Sequence, residues 1–409
     1  MMISLDSQPE PLSPRGISRE LKLFAIASLA MGMAYSIVDA TFNNFLNDRF
    51  ALGGFERSFL EFPRELPGFL VVFVSAALWF LCSRRLGGVA LLLGVAGSLL
   101  IGFASTSYAV MVVWLFIYSM GQHLFMPIAA TIGMELAEEG KTGRRLGQLN
   151  ALRNLAAIAG SFLVFLGFRF LGFTFEVTFV LAAIGFVIAA VLMFRMQPQT
   201  THQPRAYLTL RHEYALYYVL VALAGSRKQL FITFAPWVIV SIFNQPTQTI
   251  ATLMTIGGVI GILFQPLLGR WIDRLGERTV LLVEAVLLAV VCFGYGFARA
   301  VLPEEIAFLA VCLFYLLDQM LFSVGMARSM YMKKIARDPG DVQAALTAGV
   351  TIDHIFSIGV ALVGGAIWSA FGFEYVFLMG VVIAVLSFFA ARRVRLPDRS
   401  FALSPTPAR

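Results

Sequence analysis

The sequence predicts an all-α integral membrane protein of twelve spans in two six-helix halves, and three observations carry this reading. Of the 409 residues, 59% are hydrophobic and only 13% charged, and mean hydropathy is +0.81. Soluble domains carry about a quarter charged residues. Apolar stretches long enough to span a bilayer recur along the whole chain, separated by short polar turns, and each crossing needs roughly 20 apolar residues. Basic residues gather on alternate connections, as they do in loops that stay on the cytoplasmic side. A soluble globular enzyme is thereby excluded, and little chain is left for a catalytic domain outside the bilayer.

The elements follow in order. Residues 1–20 hold three prolines and no apolar core, so they lack the h-region of a cleaved signal peptide and read as a cytoplasmic tail. Hydropathy then places spans at 21–45, 57–81, 87–106, 108–136, 146–170 and 174–195, which form an N-terminal six-helix bundle over 21–195. The longest internal polar stretch, 196–212, reads as a cytoplasmic linker. A C-terminal bundle over 213–392 has spans at 213–243, 247–269, 279–299, 303–330, 343–369 and 373–392, followed by a tail over 393–409.

With the N-terminus inside, most of the 31 basic residues fall on inner segments, for example Arg84, Arg85, Lys141, Arg145, Arg270, Arg274, Lys333 and Lys334. Outer loops hold only Arg49, Arg57, Arg169 and Arg299. The expectation is a multi-pass protein of the cell membrane with both termini cytoplasmic. On this reading the net charge of +7 reports loop topology, with the lipid bilayer as partner and no nucleic acid. Cys82, Cys292 and Cys312 have no metal-ligand spacing, so neither a disulfide framework nor a metal is expected. No cofactor is expected, and the chain is read as a monomer.

The two halves repeat. Tyr118–Phe125 (YSMGQHLF) reappears as Tyr315–Phe322 (YLLDQMLF), and the LGF of 171–173 as the FGF of 371–373. Repeated halves of this kind characterise transporters whose solute site lies between them near the membrane midplane.

Between spans eight and nine the chain reads Gly269-Arg-Trp-Ile-Asp273-Arg274-Leu-Gly276-Glu-Arg278. This resembles the G-x-x-x-D-R-x-G-x-R loop of the major facilitator superfamily, and with twelve spans and a six-plus-six repeat the resemblance covers essentially the whole chain. It implies alternating access around a cavity lined by spans one, four, seven and ten. It also implies a conformational latch at Gly269, Asp273, Arg274, Gly276 and Arg278. The first-half copy, Cys82-Ser-Arg84-Arg85-Leu-Gly87, has Arg84 at the position of the family's Asp. The plainer reading of GRWIDRLGER is a basic turn that serves charge topology alone.

A charge at the bilayer centre costs at least ~2.5 kcal/mol, so intramembrane ionisable residues face protein, water or solute. Span seven carries Arg227 and Lys228 side by side. Neighbours on a helix point about 100° apart, so at most one aims into a cavity and the other meets an adjacent helix. Arg227 is the better anion ligand because its planar fork grips a carboxylate or phosphate with two bonds. In the other reading, both are ion-pair partners of Asp39 or Asp318. Gly225 and Pro236 bracket this segment as possible points of bending. On span one, Asp39 and Asn43 share a face by their spacing of four. Gln122 and Gln319 occupy equivalent positions of spans four and ten, suited to hydrogen-bonding a solute. Proton coupling needs a buried carboxylate or imidazole, and Asp318, Asp39, Asp353, His354 and His123 meet that requirement. Asp318 is the best placed. Asp353, His354 and His123 are equally readable as hydrogen-bonding residues between helices.

Some absences narrow the function. Ile117 stands where the drug–proton antiporter branch usually has an Arg, span five lacks that branch's Gly-Pro pair, and no Walker, GxSxG or dinucleotide loop occurs. The chain is not expected to be an enzyme. The working reading is a secondary active transporter of a small anionic organic solute, with Arg227 and Lys228 at the solute and protons coupled through Asp318 or Asp39. An exporter of amphiphilic cations or drugs, and a transport-dead membrane sensor, are the alternatives.

Overall fold

A computed structural model describes residues 14–78, 80–138, 142–198, 210–337 and 339–395. The expected tails and linker fall outside the described residues at 1–13, 199–209 and 396–409. Among the described residues every regular element is helical. The first half runs α1 (Pro14–Phe50), α2 (Gly54–Phe59), α3 (Glu61–Ala77), α4 (Ser83–Ala104), α5 (Tyr108–Glu135), α6 (Thr142–Phe170) and α7 (Phe175–Arg195). The second runs α8 (Ala215–Trp237), α9 (Thr247–Val301), α10 (Glu304–Phe322), α11 (Gly325–Ile335), α12 (Pro339–Phe371) and α13 (Phe373–Arg392).

By length and composition, nine helical segments among the described residues can cross a membrane. One is the 55-residue α9, which holds two spans joined at Gly276. The 17-residue α3 and α8, whose apolar run is interrupted by Arg227 and Lys228, supply the remaining two of the twelve. Outward faces are apolar at helical spacing. On α9, Val283, Val286, Leu287, Val290 and Phe293 are exposed, while Leu281, Ala285, Leu288, Cys292 and Tyr295 are buried. In water such a stripe would drive aggregation; in a bilayer it is the lipid-facing side.

The junction of spans eight and nine differs from the loop read in the sequence. The helix continues through Gly269 to Leu275 because Leu268 and Ile272, four apart, bury on one face. Only Gly276, at φ 79° and ψ 158°, breaks it, a conformation that a residue with a Cβ adopts at a cost of about 1–3 kcal/mol. The LGF and FGF repeats have a backbone cause of the same kind, since Gly172 (φ 65°) and Gly372 (φ 106°) both make left-handed turns into the next helix. Span ten is split at Ser323–Val324 into α10 and α11. Past Pro236, which has no N–H to donate, α8 widens into a π-helical turn over Val238–Ile242. Gly225 makes no bend. It gives room to Asp353, whose carboxylate would meet any Cβ there.

The chain forms two compact units, Met1–Pro204 with Thr233–Ile262 and Arg205–Ile232 with Leu263–Arg409. In the first, α1 packs on α6 and α7, α4 on α5 and α7, α3 on α5, and the π-helical turn on α1. Tyr35, Tyr118 and Phe186 form an edge-to-face triad at its centre, with centroids 4.9–6.0 Å apart. In the second, α12 packs on α11 and α13. Phe231, Tyr295 and Phe377 meet there at 4.5–5.6 Å, and a second core gathers Tyr214, Leu268, Ile272, Tyr331 and Met332.

Candidate solute and proton-coupling sites

In the second unit, α8 directs its two adjacent cations onto two different helices, as the helical rotation between neighbours requires. Arg227 reaches α10, where its Nη2 donates to Asp318 Oδ1 at 2.6 Å and to the Asp318 carbonyl at 3.2 Å. The two side chains are 3% and 2% exposed. The guanidinium also lies over the Phe322 ring, 4.8 Å from its centroid. Its buried Nε has no hydrogen-bond partner. Lys228 pairs instead with Asp353 of α12, both half-buried. Of the two carboxylates weighed in the sequence as partners of this pair, Asp318 is used, and the second is Asp353. Gln319 and His354 are half-buried next to these carboxylates in sequence. Nearby in the same unit, Glu284 of α9 accepts from Arg328 of α11 at 2.7 Å.

In the first unit, the shared face of Asp39 and Asn43 holds arginines from the following helices. Asp39 Oδ1 lies 3.4 Å from Arg64 Nη2. Asn43 Oδ1 accepts from Arg57 Nε at 2.9 Å, and Arg57 Nη1 donates to Glu61 at 2.7 Å, with Arg57 and Glu61 fully buried. Glu61 lies 3.9 Å from Arg64, so four charged groups form one chain. His123 Nδ1 sits 3.1 Å from Ser119 Oγ, and its Nε2 lies 3.9 Å from Glu65. Gln122 is half-buried. The sequence had placed Arg57 at a loop edge. Its spacing of four from Glu61 was the available signal, because one helical turn brings the two together.

A model described as Major Facilitator Superfamily matches residues 24–352 and, in a second match, 217–409. The chain belongs to this superfamily. Sugar efflux transporter B of Salmonella typhimurium (strain LT2) is 22% identical over 419 residues, covering 96% of this chain and 100% of the relative. Among solved structures, the nucleoside transporter NupG aligns with a TM-score of 0.73 at 14% identity, over 92% of this chain and 98% of that one. The D-xylose-proton symporter aligns at 0.68 and 17% identity, over 93% and 98%. The protein is a multi-pass membrane transporter of this superfamily and not an enzyme.

Within the superfamily motif, Asp273, Arg274 and Arg278 are exposed, Gly269 and Gly276 are half-buried, and the buried charge is Glu277. Glu277 is 0% exposed and lies 2.5 Å from Lys334 at the end of α11. The pattern drew attention to Asp273 and Arg274, and so passed over Glu277. The first-half copy closes on itself with the signs reversed. Arg84 is buried 3.3 Å from Glu135 at the end of α5 and 3.8 Å from Glu20 of α1. Arg84 at the family's Asp position therefore makes an ion pair of opposite polarity within its own half.

The two pairs differ in what a deletion leaves behind. Arg84→Ala strands Glu135, 17% exposed, while Glu20 keeps Arg19 at 3.1 Å and the Gln197 N–H at 3.0 Å, so a loss of about 3 kcal/mol is expected. Glu277→Ala leaves Lys334, 35% exposed, whose long stem can carry its ammonium to water. Its loss should be clearly smaller. Thermal unfolding of the two variants in detergent checks the order, and equal losses would contradict it.

Proposed function

We propose that the chain is a proton-coupled secondary transporter of a small organic solute, working by alternating access as a monomer in the cell membrane with both termini cytoplasmic. The observation that carries this reading is the buried Arg227–Asp318 pair, 2.6 Å apart. A carboxylate held dry against a guanidinium has two stable states. Ionised, it occupies the donors of Arg227. Protonated, it loses its charge-assisted bond and releases those donors to a solute. Binding of proton and solute are linked in this way, and linkage is reciprocal. Lys228 with Asp353 and His354, and Asp39 with Arg64 and His123, are the further groups through which protons would pass. Gln122, Gln319 and Asn43 supply neutral hydrogen bonds, and Gly269, Asp273, Arg274, Gly276 and Arg278 form the latch between access states.

The sugar and nucleoside transporters among the relatives support a neutral, hydroxylated solute as the cargo. Arg227 and Lys228 fit that class, since each is already neutralised by a carboxylate in its own unit. An anionic solute is the second reading, favoured by the buried Arg227 Nε that has no partner. An exporter of cations would need Asp318 open, and Asp318 is buried against Arg227.

The test is flux in proteoliposomes under an imposed pH gradient, using labelled lactose, D-glucose, uridine, citrate and choline. A neutral hydroxylated solute should accumulate with the gradient and stop doing so when a protonophore is added. Accumulation of citrate alone would move the conclusion to the anionic reading. Flux that ignores the gradient would contradict proton coupling.

A further inference from the structure

The first unit contains a cavity of about 570 Å³ that shares no residue with the arginine–carboxylate clusters. Three stretches enclose it. They are the end of α1 with Asn44, Asn47 and Asp48, the turn into α7 with Glu176, and the turn before α9 with Gln245 and Gln248. Its volume lies in the range of small-molecule sites, about 300–1,000 Å³.

The lining has a definite chemistry. Amides dominate, each offering donors and an acceptor, and no Lys or Arg is among the lining residues. Phe168, Phe173 and Phe175 provide ring surface, and Phe175 is fixed against Phe168 and Phe45 at 5.5 and 5.8 Å. A ring with hydroxyls on its edge and C–H groups on its face meets both kinds of surface. The site is also built. Asn44 is 4% exposed and donates from Nδ2 to the Gln245 carbonyl at 2.8 Å, while its Oδ1 has no hydrogen-bond partner. Gln245 is held in turn by Nε2 donating to the Phe243 carbonyl at 3.0 Å and by Thr249 donating to its Oε1 at 3.3 Å. The turn depends on Asn244 at φ 50°, a conformation that Asn tolerates better than most residues. Of the two carboxylates, Glu176 is hydrogen-bonded by Thr174 and has Arg49 as a neighbouring cation, and Asp48 accepts from Asn47 at 3.5 Å, so choline is the control for a cation at this site.

We propose that this cavity is a second solute site that binds a neutral polyhydroxylated molecule, separate from the site at Arg227 and Asp318. Its ligand class rests on the reading of the cargo as a hydroxylated solute, and the experiment keeps the two claims apart. The full chain carrying Cys82→Ser, Cys292→Ala and Cys312→Ser, with Gln248→Cys as reporter, is reconstituted in vesicles and labelled with a maleimide. Lactose, D-glucose, uridine, choline and citrate are added in turn. A parallel chain carries Leu302→Cys, an exposed position outside the cavity.

At least one of lactose, D-glucose and uridine should slow labelling at the reporter several-fold, with choline, citrate and the Leu302→Cys chain unaffected. Adding Asn47→Ala and Asp48→Ala should abolish that protection. Labelling unchanged by all three hydroxylated solutes, protection by choline instead, or protection that survives the double alanine change would each overturn the proposal. The last outcome would mean that the solute acts from elsewhere through a change of conformation. If a solute protects but none of the five is carried, the cavity stands and the transport reading falls. If a solute is carried and none of the three protects, the reverse holds.

Discussion

Asp318→Asn is expected to abolish accumulation of solute driven by a pH gradient in proteoliposomes, while exchange of labelled for unlabelled solute continues. The asparagine keeps an acceptor at the position where Oδ1 now takes the Arg227 Nη2 bond at 2.6 Å, so helix packing between α8 and α10 has no steric reason to change. What disappears is the ability to hold and release a proton. Without it, the empty and solute-bound forms no longer differ in charge, and a proton gradient has nothing to act on. Exchange needs no net proton transfer and should survive. Loss of both activities in a folded protein would make Asp318 a solute ligand instead of a proton carrier.

Arg227→Ala should destabilise the second unit by about 3–5 kcal/mol, because it leaves a carboxylate in a dry site with no counter-charge. Asp318 is 2% exposed and cannot reach water as a surface aspartate would. The double variant Arg227→Ala/Asp318→Ala should recover most of that loss, since both charges are then removed together. Thermal unfolding in detergent of the two single variants and the double gives the coupling directly. Additive losses would show that the pair is not coupled. Lys228→Ala should cost less, because Lys228 and Asp353 are 31% and 23% exposed and keep some contact with water.

Much of this fold could be read from the sequence because span length and the sign of charge are one-dimensional properties. The apolar runs, the break at Gly276 and the paired turns at Gly172 and Gly372 all depend on residues a few positions apart. The divergence of Arg227 and Lys228 also followed from helix geometry alone. Which carboxylates they meet did not, because Asp318 and Asp353 are far along the chain and only tertiary packing brings them close. Arg57 is hidden from the sequence for the same reason: its burial depends on Asn43 from another helix. Pro236 marked a disturbance in span seven, but not that the backbone would answer with a π-helical turn. The cavity at Asn44 and Gln245 had no signal, since its polar residues are spread over three turns that read singly as ordinary loops. Glu277 lies within a known motif, but its burial depends on Lys334 of α11, which the motif does not contain.

The most direct test of proton coupling at Asp318 is a pH-electrode recording from lightly buffered vesicles, taken as lactose, D-glucose or uridine is added to a chain that carries it. The wild type should change the external pH as the solute moves, with a sign that reports co-transport or exchange, and Asp318→Asn should give no change while still exchanging labelled solute. Equal pH changes from the two chains, or solute movement in the wild type with no pH change, would contradict the assignment.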